Sequence, residues 1–191
     1  APRPVRRLLG SKLRAWMDPH PSSADCVKSL VSELTRLTNL QLFLDFHAFG
    51  RLWLYPWCHT KEPSPHHREH EVASATAVAA ANRVARRSEY RAQAAAFTEV
   101  PMGGSCIDFV YGEIGCAHSY AVELPPSLPR GGVLGATVLG ALRGDPRRWW
   151  REGHAPSAEV GIEAGDEMAA ALSALVDHLF GDTPAATAGH R

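Results

Sequence analysis

Two polar side chains stand out because of the apolar stretches that carry them. In "LFLDFHAFGRLWLYPW", residues 42–57, a hydrophobic run climbs to His47 and then passes through Arg51 to a Tyr-Pro turn. In "HSYAVELPP", residues 118–126, Glu123 interrupts an otherwise apolar segment closed by two prolines. A carboxylate within such a segment costs stability unless it is paired or solvated. An imidazole ending a strand is either a satisfied structural group or one held there for use. Both groups can carry protons in a reaction if a substrate reaches them.

The elements that must position these groups are readable from periodicity. Strand alternation places Leu40, Leu42, Leu44 and Phe46 on one face of the first segment, with Gln41, Phe43, Asp45 and His47 on the other. In the second segment Tyr120, Val122 and Leu124 point one way, and Ser119, Ala121 and Glu123 the other. Small neighbours on its own face leave Glu123 room for a substrate. Upstream, "PSSADCVKSLVSELTRLT" predicts a helix: Ser22 and Asp25 have capping-box spacing, and Val27, Leu30, Val31, Leu34 and Leu37 recur on one face. A helix running straight into an apolar strand argues for an α/β layered fold. It also puts His47 at the C-terminal end of its strand, where open α/β sheets collect ligands and catalytic groups.

Further along, Ser64 and Pro65 read as cap and first position of an Ala-rich helix. "AAAFTEV" reads as a short strand, and "PMGGSCIDFVYGEIG" as a glycine-punctuated loop. A last amphipathic helix carries Met168, Leu172, Leu175, Val176 and Leu179 on one side. Residues 1–20 form a basic leader of uncertain structure, and 21–180 the folded domain. A Gly- and Arg-rich insertion occupies 130–151, and 181–191 form a tail expected to be disordered.

Composition bounds the function classes. The chain has 191 residues, 45% of them hydrophobic, enough for one domain with a core. Twenty basic residues balance 20 acidic ones, so neither a nucleic-acid nor a membrane-surface partner is expected. No apolar run is long enough for a transmembrane helix. The four cysteines (Cys26, Cys58, Cys106, Cys116) lack C-x-x-C spacing and leave one, two or no disulfides open. The chain begins with Ala1, so the natural start is expected upstream.

Taken in order, "FHAFGRLWLYPW", the Ala-rich helix, "GGSCIDFVYGEIG", "HSYAVEL" and the final helix resemble the C-terminal part of the catalytic domain of zinc metallocarboxypeptidases of the A/B type. That family shows H-S-Y-[SG]-Q-x-x-x-Y-P, then G-G-S-x-D-W, then F-x-F-E-L. The counterparts here run from His47 to Tyr55-Pro56, from Gly103-Gly104-Ser105 to Asp108-Phe109, and over Ala121-Val122-Glu123-Leu124. The resemblance spans about residues 20 to 125 and extends through the last helix. It implies a three-layer α/β/α fold with a mixed sheet, whose N-terminal part is expected to lie outside this chain.

The resemblance also assigns roles. His47 matches the family's third zinc ligand. Glu123 matches the carboxylate that deprotonates the metal-bound water and returns the proton to the leaving amine. Ala48 and Phe49 fall in the substrate-binding stretch, and Ile107 at the base of the specificity pocket, where an apolar residue implies removal of hydrophobic C-terminal residues. The implied function is a zinc-dependent carboxypeptidase, a monomer acting on peptide or protein C-termini and secreted. The bottom-up chemistry agrees: a catalytic zinc keeps one position for water, whose pKa falls toward neutrality, and a nearby carboxylate serves as base and then acid.

The departures define the alternative. The family's H-x-x-E segment, with the first two zinc ligands, does not precede His47 and is expected upstream of this chain. "His66-His67-Arg68-Glu69" has the form but follows His47, and reads as a solvated helix start. Phe49 stands where the family has tyrosine, and no tyrosine occurs between Tyr90 and Tyr111. The alternative function is therefore a truncated or degenerate non-catalytic homologue unable to hold zinc.

Overall fold

A computed structural model describes residues 25–86, 89–98, 101–125 and 156–181. The expected leader 1–20, the cap at Ser22, the insertion 130–151 and all of the tail but Gly181 lie outside the described residues.

Helix α1 (Asp25–Arg36) leads into strand β1 (Leu42–Ala48), which turns at once into β2 (Leu52–Tyr55). Helix α2 (His67–Val84) crosses back to β3 (Arg91–Ala94) and a short turn over Ala95–Phe97. One helical turn, α3 (Cys106–Phe109), continues into a wider turn over Val110–Ile114, then come β4 (His118–Leu124) and the long helix α4 (Ala158–Phe180). The sheet order is β1-β4-β2-β3, with β1 parallel to β4, β4 antiparallel to β2, and β2 parallel to β3. It is the mixed sheet the sequence implied.

Alternation sorts the two faces as expected. Trp53, Tyr55, Tyr120 and Val122 pack against α2 and α4 in the main core, with Ala73, Ala77, Ala81, Ala171 and Leu175. Alanines at helical spacing let α2 lie close to the sheet, so the tract is a packing surface as well as a helix former. Ser157 caps α4, its Oγ accepting from Val160 N at 3.4 Å. On the opposite face Leu52, Leu54 and Ala121 meet Ile107, Cys58 and Ala95, while Leu34 of α1 packs with Val110 and Cys116. Helices thus cover both faces, giving three layers.

Several sequence expectations need correction. "PMGGSCIDFVYGEIG" is not simply a loop: residues 106–114 are helical and close at Gly115, whose φ of 84° lies in the left-handed region glycine enters freely. The strand read at "AAAFTEV" lies just upstream, at Arg91–Ala94, because Ala95 and Ala96 turn into the core instead. Helix α2 starts at His67 with His66 before it, because Ser64 Oγ is engaged with His70 Nδ1 (3.2 Å). Of the five apolar residues of the expected stripe, four on α1 and Leu37 just beyond it, only Leu34 is buried; Val27, Leu30 and Leu37 are 43, 49 and 52% exposed. Val176 of α4 is likewise 43% exposed, while Glu167 lies in the buried stripe. Cys26, Cys58, Cys106 and Cys116 are all free thiols.

Candidate functional site

The parallel register of β1 and β4 pairs His47 with Glu123 directly. Adjacent strands lie about 4.8 Å apart and paired residues share a face, so imidazole and carboxylate rise side by side at the C-terminal ends of both strands. Ile107 and Asp45 lie toward the same face, beside Phe43 and Ala121. His47 Nε2 is 2.8 Å from Asp45 Oδ2, with the two side chains 49 and 29% exposed. Glu123 belongs to the central strand and its Oε2 is shielded from solvent.

The turn after His47 is built around Glu123. Gly50 N donates to Leu124 O at 3.0 Å, and a Cβ on Gly50 would lie 3.0 Å from Glu123 Cβ. Glycine is required there by close approach. Ala48 and Phe49 are half-buried and joined by a cis peptide.

The next residue anchors that turn to the far side of the molecule. Arg51 has φ 54°, an uncommon conformation for a residue with a Cβ, and its side chain is 4% exposed. Its Nη1 donates to both oxygens of Glu167, at 3.2 and 3.3 Å. Tyr90 Oη donates to Glu167 Oε2 at 3.0 Å, and the guanidinium carbon lies 5.1 Å from the Tyr90 ring centre. Burial and the Glu167 charge push the Tyr90 phenol far above its ordinary pKa, so it stays a donor. Asn82 holds Tyr90 in place, accepting from its N–H at 2.7 Å and donating to its carbonyl at 3.0 Å. The triad was not found from sequence. Its signal was Glu167, one carboxylate in the Ala164–Ala171–Leu175 stripe of α4.

Asp108 does the same for the other side of the site. Its carboxylate accepts from Cys58 N (2.9 Å) and His59 N (3.1 Å) and contacts His59 Nδ1 at 2.6 Å. Ser119 Oγ donates to Ile107 O at 3.0 Å. These bonds clamp the chain after the Tyr55-Pro56 turn, and β4, onto α3. Ile107 is 1% exposed among Leu52, Leu54, Cys58 and Phe43, so in this structure it is a core residue under the site face.

The histidines of α2 form a separate cluster at the other end of the sheet. His70 Nε2 donates to Ala117 O at 2.6 Å, which leaves Nδ1 to accept from Ser64 Oγ. Burial lowers the His70 pKa to about 4. His66 Nδ1 meets Tyr111 Oη at 2.8 Å. The reading of His66-His67-Arg68-Glu69 as a solvated helix start holds for Arg68 and Glu69, which are exposed; His66 and His67 are half-buried, and His70, the next residue, is fully buried. His118, beside this cluster, and Glu123 are five residues apart on β4, or about 16 Å.

His47, half exposed at the end of β1, is an imidazole of the kind that ligates zinc. A catalytic zinc needs about three protein ligands. Among the described residues no group of three or more His, Cys, Asp or Glu is arranged to hold an ion. The described residues by themselves therefore do not complete a zinc site.

The chain is similar to known proteins in sequence and in fold. The sequence profile of the zinc carboxypeptidases matches residues 12–134. Carboxypeptidase A1 of Rattus norvegicus is 31% identical over 119 residues, 62% of this chain and 28% of the relative. Zinc carboxypeptidase A 1 of Anopheles gambiae is 33% identical over 101 residues, covering 52 and 23% of the two chains. Bovine thrombin-activatable fibrinolysis inhibitor, solved in complex with tick carboxypeptidase inhibitor, superposes with a TM-score of 0.64 at 17% identity, over 84% of this chain and 47% of that one. The chain spans under a third of the length of these curated relatives and about half of that solved structure. With its fold, its motifs and a profile match over more than half its length in agreement, the chain belongs to the zinc carboxypeptidase family.

Proposed function

We propose that this chain contributes one zinc ligand, His47, and the general base, Glu123, to a carboxypeptidase that removes single apolar residues from peptide C-termini. The observation that carries the reading is the pairing of His47 with Glu123 on one face, at the ends of adjacent parallel strands. Zinc bound at such a site lowers the pKa of a coordinated water and polarises the scissile carbonyl. Glu123 takes a proton from the attacking water and delivers it to the departing amine. Its seat on the central strand, under the Gly50 turn, holds the carboxylate in one position while protons pass through it.

The apolar preference is drawn from the family resemblance at Ile107, which in this structure is buried among Phe43, Leu54 and Ala121. Ala48 and Phe49, following the metal ligand on a turn anchored by Arg51, would line the substrate's path. The protein would act as a monomer outside the cell, a setting drawn from family resemblance. Among the described residues no helix is long and apolar enough to cross a membrane.

The test is release of free phenylalanine from an N-blocked peptide ending in phenylalanine, in the presence of zinc. The 191 residues alone should release little or none, because they supply one zinc ligand. A longer chain that also carries the H-x-x-E segment should release it and lose the activity in Glu123→Gln. Release that survives Glu123→Gln would remove Glu123 from the chemistry, and no release by the longer chain would favour the non-catalytic alternative.

A further inference from the structure

His118 opens β4, and the last turn of α4 closes over it: the Phe180 ring meets the imidazole edge-on, with centroids 6.4 Å apart at 85°. Where this contact meets the start of α2 lies a cleft of about 440 Å³, lined by Arg68, Glu69, Val72, His118, His178 and Leu179. Leu179 packs on the main core, while Phe180 is half exposed and lightly held. The His118 Nδ1 is shut away from solvent and has no hydrogen-bond partner among the described residues. A neutral imidazole tolerates this, because it can leave Nδ1 as a bare lone pair and carry its proton on Nε2. An imidazolium cannot: both nitrogens then carry protons, and the shielded one has no acceptor. The surrounding charges add to that cost. Burial first, then the His66 and His178 imidazoles, lower the His118 pKa against the pull of Glu69. Arg68 brings a permanent cation to the cleft, and His70 on α2 lies close enough to feel a charge on His118. On the remaining sides Leu42 of β1 is apolar, and burial keeps the Cys116 thiol and the Tyr120 phenol neutral.

We propose that residues 178–180, the last turn of α4, form an acid-released latch: the turn stays docked on His118 while that imidazole is neutral and lifts away when it is protonated. Lifting lets water accept the Nδ1 proton and separates His178 from His118, so their repulsion relaxes. The docked imidazole holds a proton less tightly than the released one. Docking is therefore complete above pH about 6.5 and is lost as pH falls below it. The released turn uncovers Leu179 and the adjoining edge of the main core, an apolar surface that forms only in acid. The inference is independent of the roles proposed for His47 and Glu123, which lie at the other end of the sheet.

The test is amide hydrogen exchange of the 191-residue chain, followed residue by residue and corrected for the intrinsic pH dependence of exchange. Between pH about 7.5 and about 5.5, protection at residues 178–180 should fall by up to about 10-fold, the limit for one imidazole one unit below its ordinary pKa. His118→Gln, which takes up no proton, should lose this pH dependence. His70→Gln removes a deeper imidazole of the same cluster and should keep it, which separates the latch from acid unfolding of the whole chain. Phe180→Ala, lacking the docked ring, should show the weaker protection already at pH about 7.5. Equal protection in the parent at the two pH values, or an acid loss that persists in His118→Gln, overturns the proposal. So does Phe180→Ala that matches the parent at the higher pH, because the ring would then not be what docks.

Discussion

Strands β1 and β4 are neighbours, parallel, equal in length and similarly apolar, yet they live in different surroundings. Strand β4 lies between two strands, with Ser119, Tyr120, Ala121 and Val122 all buried. Strand β1 is the edge of the described sheet, buries none of its seven residues fully, and leaves Phe46 45% exposed. Helix α1 beside it exposes Val27, Leu30 and Leu37, while α2 and α4 on the other side of the sheet bury Ala73, Ala77, Ala81, Ala171 and Leu175 almost completely. The candidate site straddles this boundary. Glu123, whose task would be to hold and pass a proton, sits on the rigid strand; His47, whose task would be to hold a metal, sits on the open one. Polar contacts offset part of what the edge lacks in packing: Asp45 lies 2.8 Å from the His47 ring, and Arg51 ties the turn behind it to Glu167.

If stability resides in the packed half, changes there should dominate. The largest effect is expected from Glu167→Ala, which strands a buried guanidinium and frees the turn after His47. Removing one partner of a buried ion pair costs about 3–5 kcal/mol, to be read from the midpoint of urea unfolding. A cost under about 1 kcal/mol would mean that the triad is not the anchor its geometry indicates.

Acid should reach the packed half next, through His70. Its pKa is lowered from 6.5 to about 4 in the folded chain, so the unfolded chain binds the proton more readily. The stabilisation is complete above pH about 6.5 and drains away as pH falls toward about 4, by about 3 kcal/mol in all. Denaturant midpoints measured across that interval should fall in the parent and fall less steeply in His70→Gln. Parallel curves would contradict the assignment.

The most direct comparison of the two regions uses one substitution in both. Leu175→Ala, at a fully buried position, should cost at least about 2 kcal/mol, whereas Leu30→Ala, half exposed on α1, should cost about 0.5 kcal/mol or less. Equal costs would show that the α1 face is covered in solution.

Much of this was legible in the sequence because period-two alternation survives wherever one strand face meets helices. The faces of β1 and of β4 follow from it, as does the mixed α/β class once the motifs are recognised; the register that pairs His47 with Glu123 does not. What escaped was long-range pairing. Arg51, Tyr90 and Glu167 come from three distant segments, and no local period links them; only the lone carboxylate in the apolar stripe of α4 hinted at a partner. The α1 stripe was read correctly as amphipathic, but amphipathicity states what a helix can bury, not what it meets. Residues 106–114 were read as a loop because glycines flank them, although the helical turn lies between Gly104 and Gly115. Ile107 shows the same limit: its apolar character was visible, and the choice between pocket and core was not.

The most direct test of the central claim is calorimetric titration of zinc into the chelator-stripped chain and its His47→Ala variant. With the other two ligands expected outside this chain, the account predicts weak or no zinc binding by the parent, unchanged in His47→Ala. Tight one-to-one binding by the parent that His47→Ala abolishes would show a site closing within this chain and would contradict the expectation that its ligands lie elsewhere.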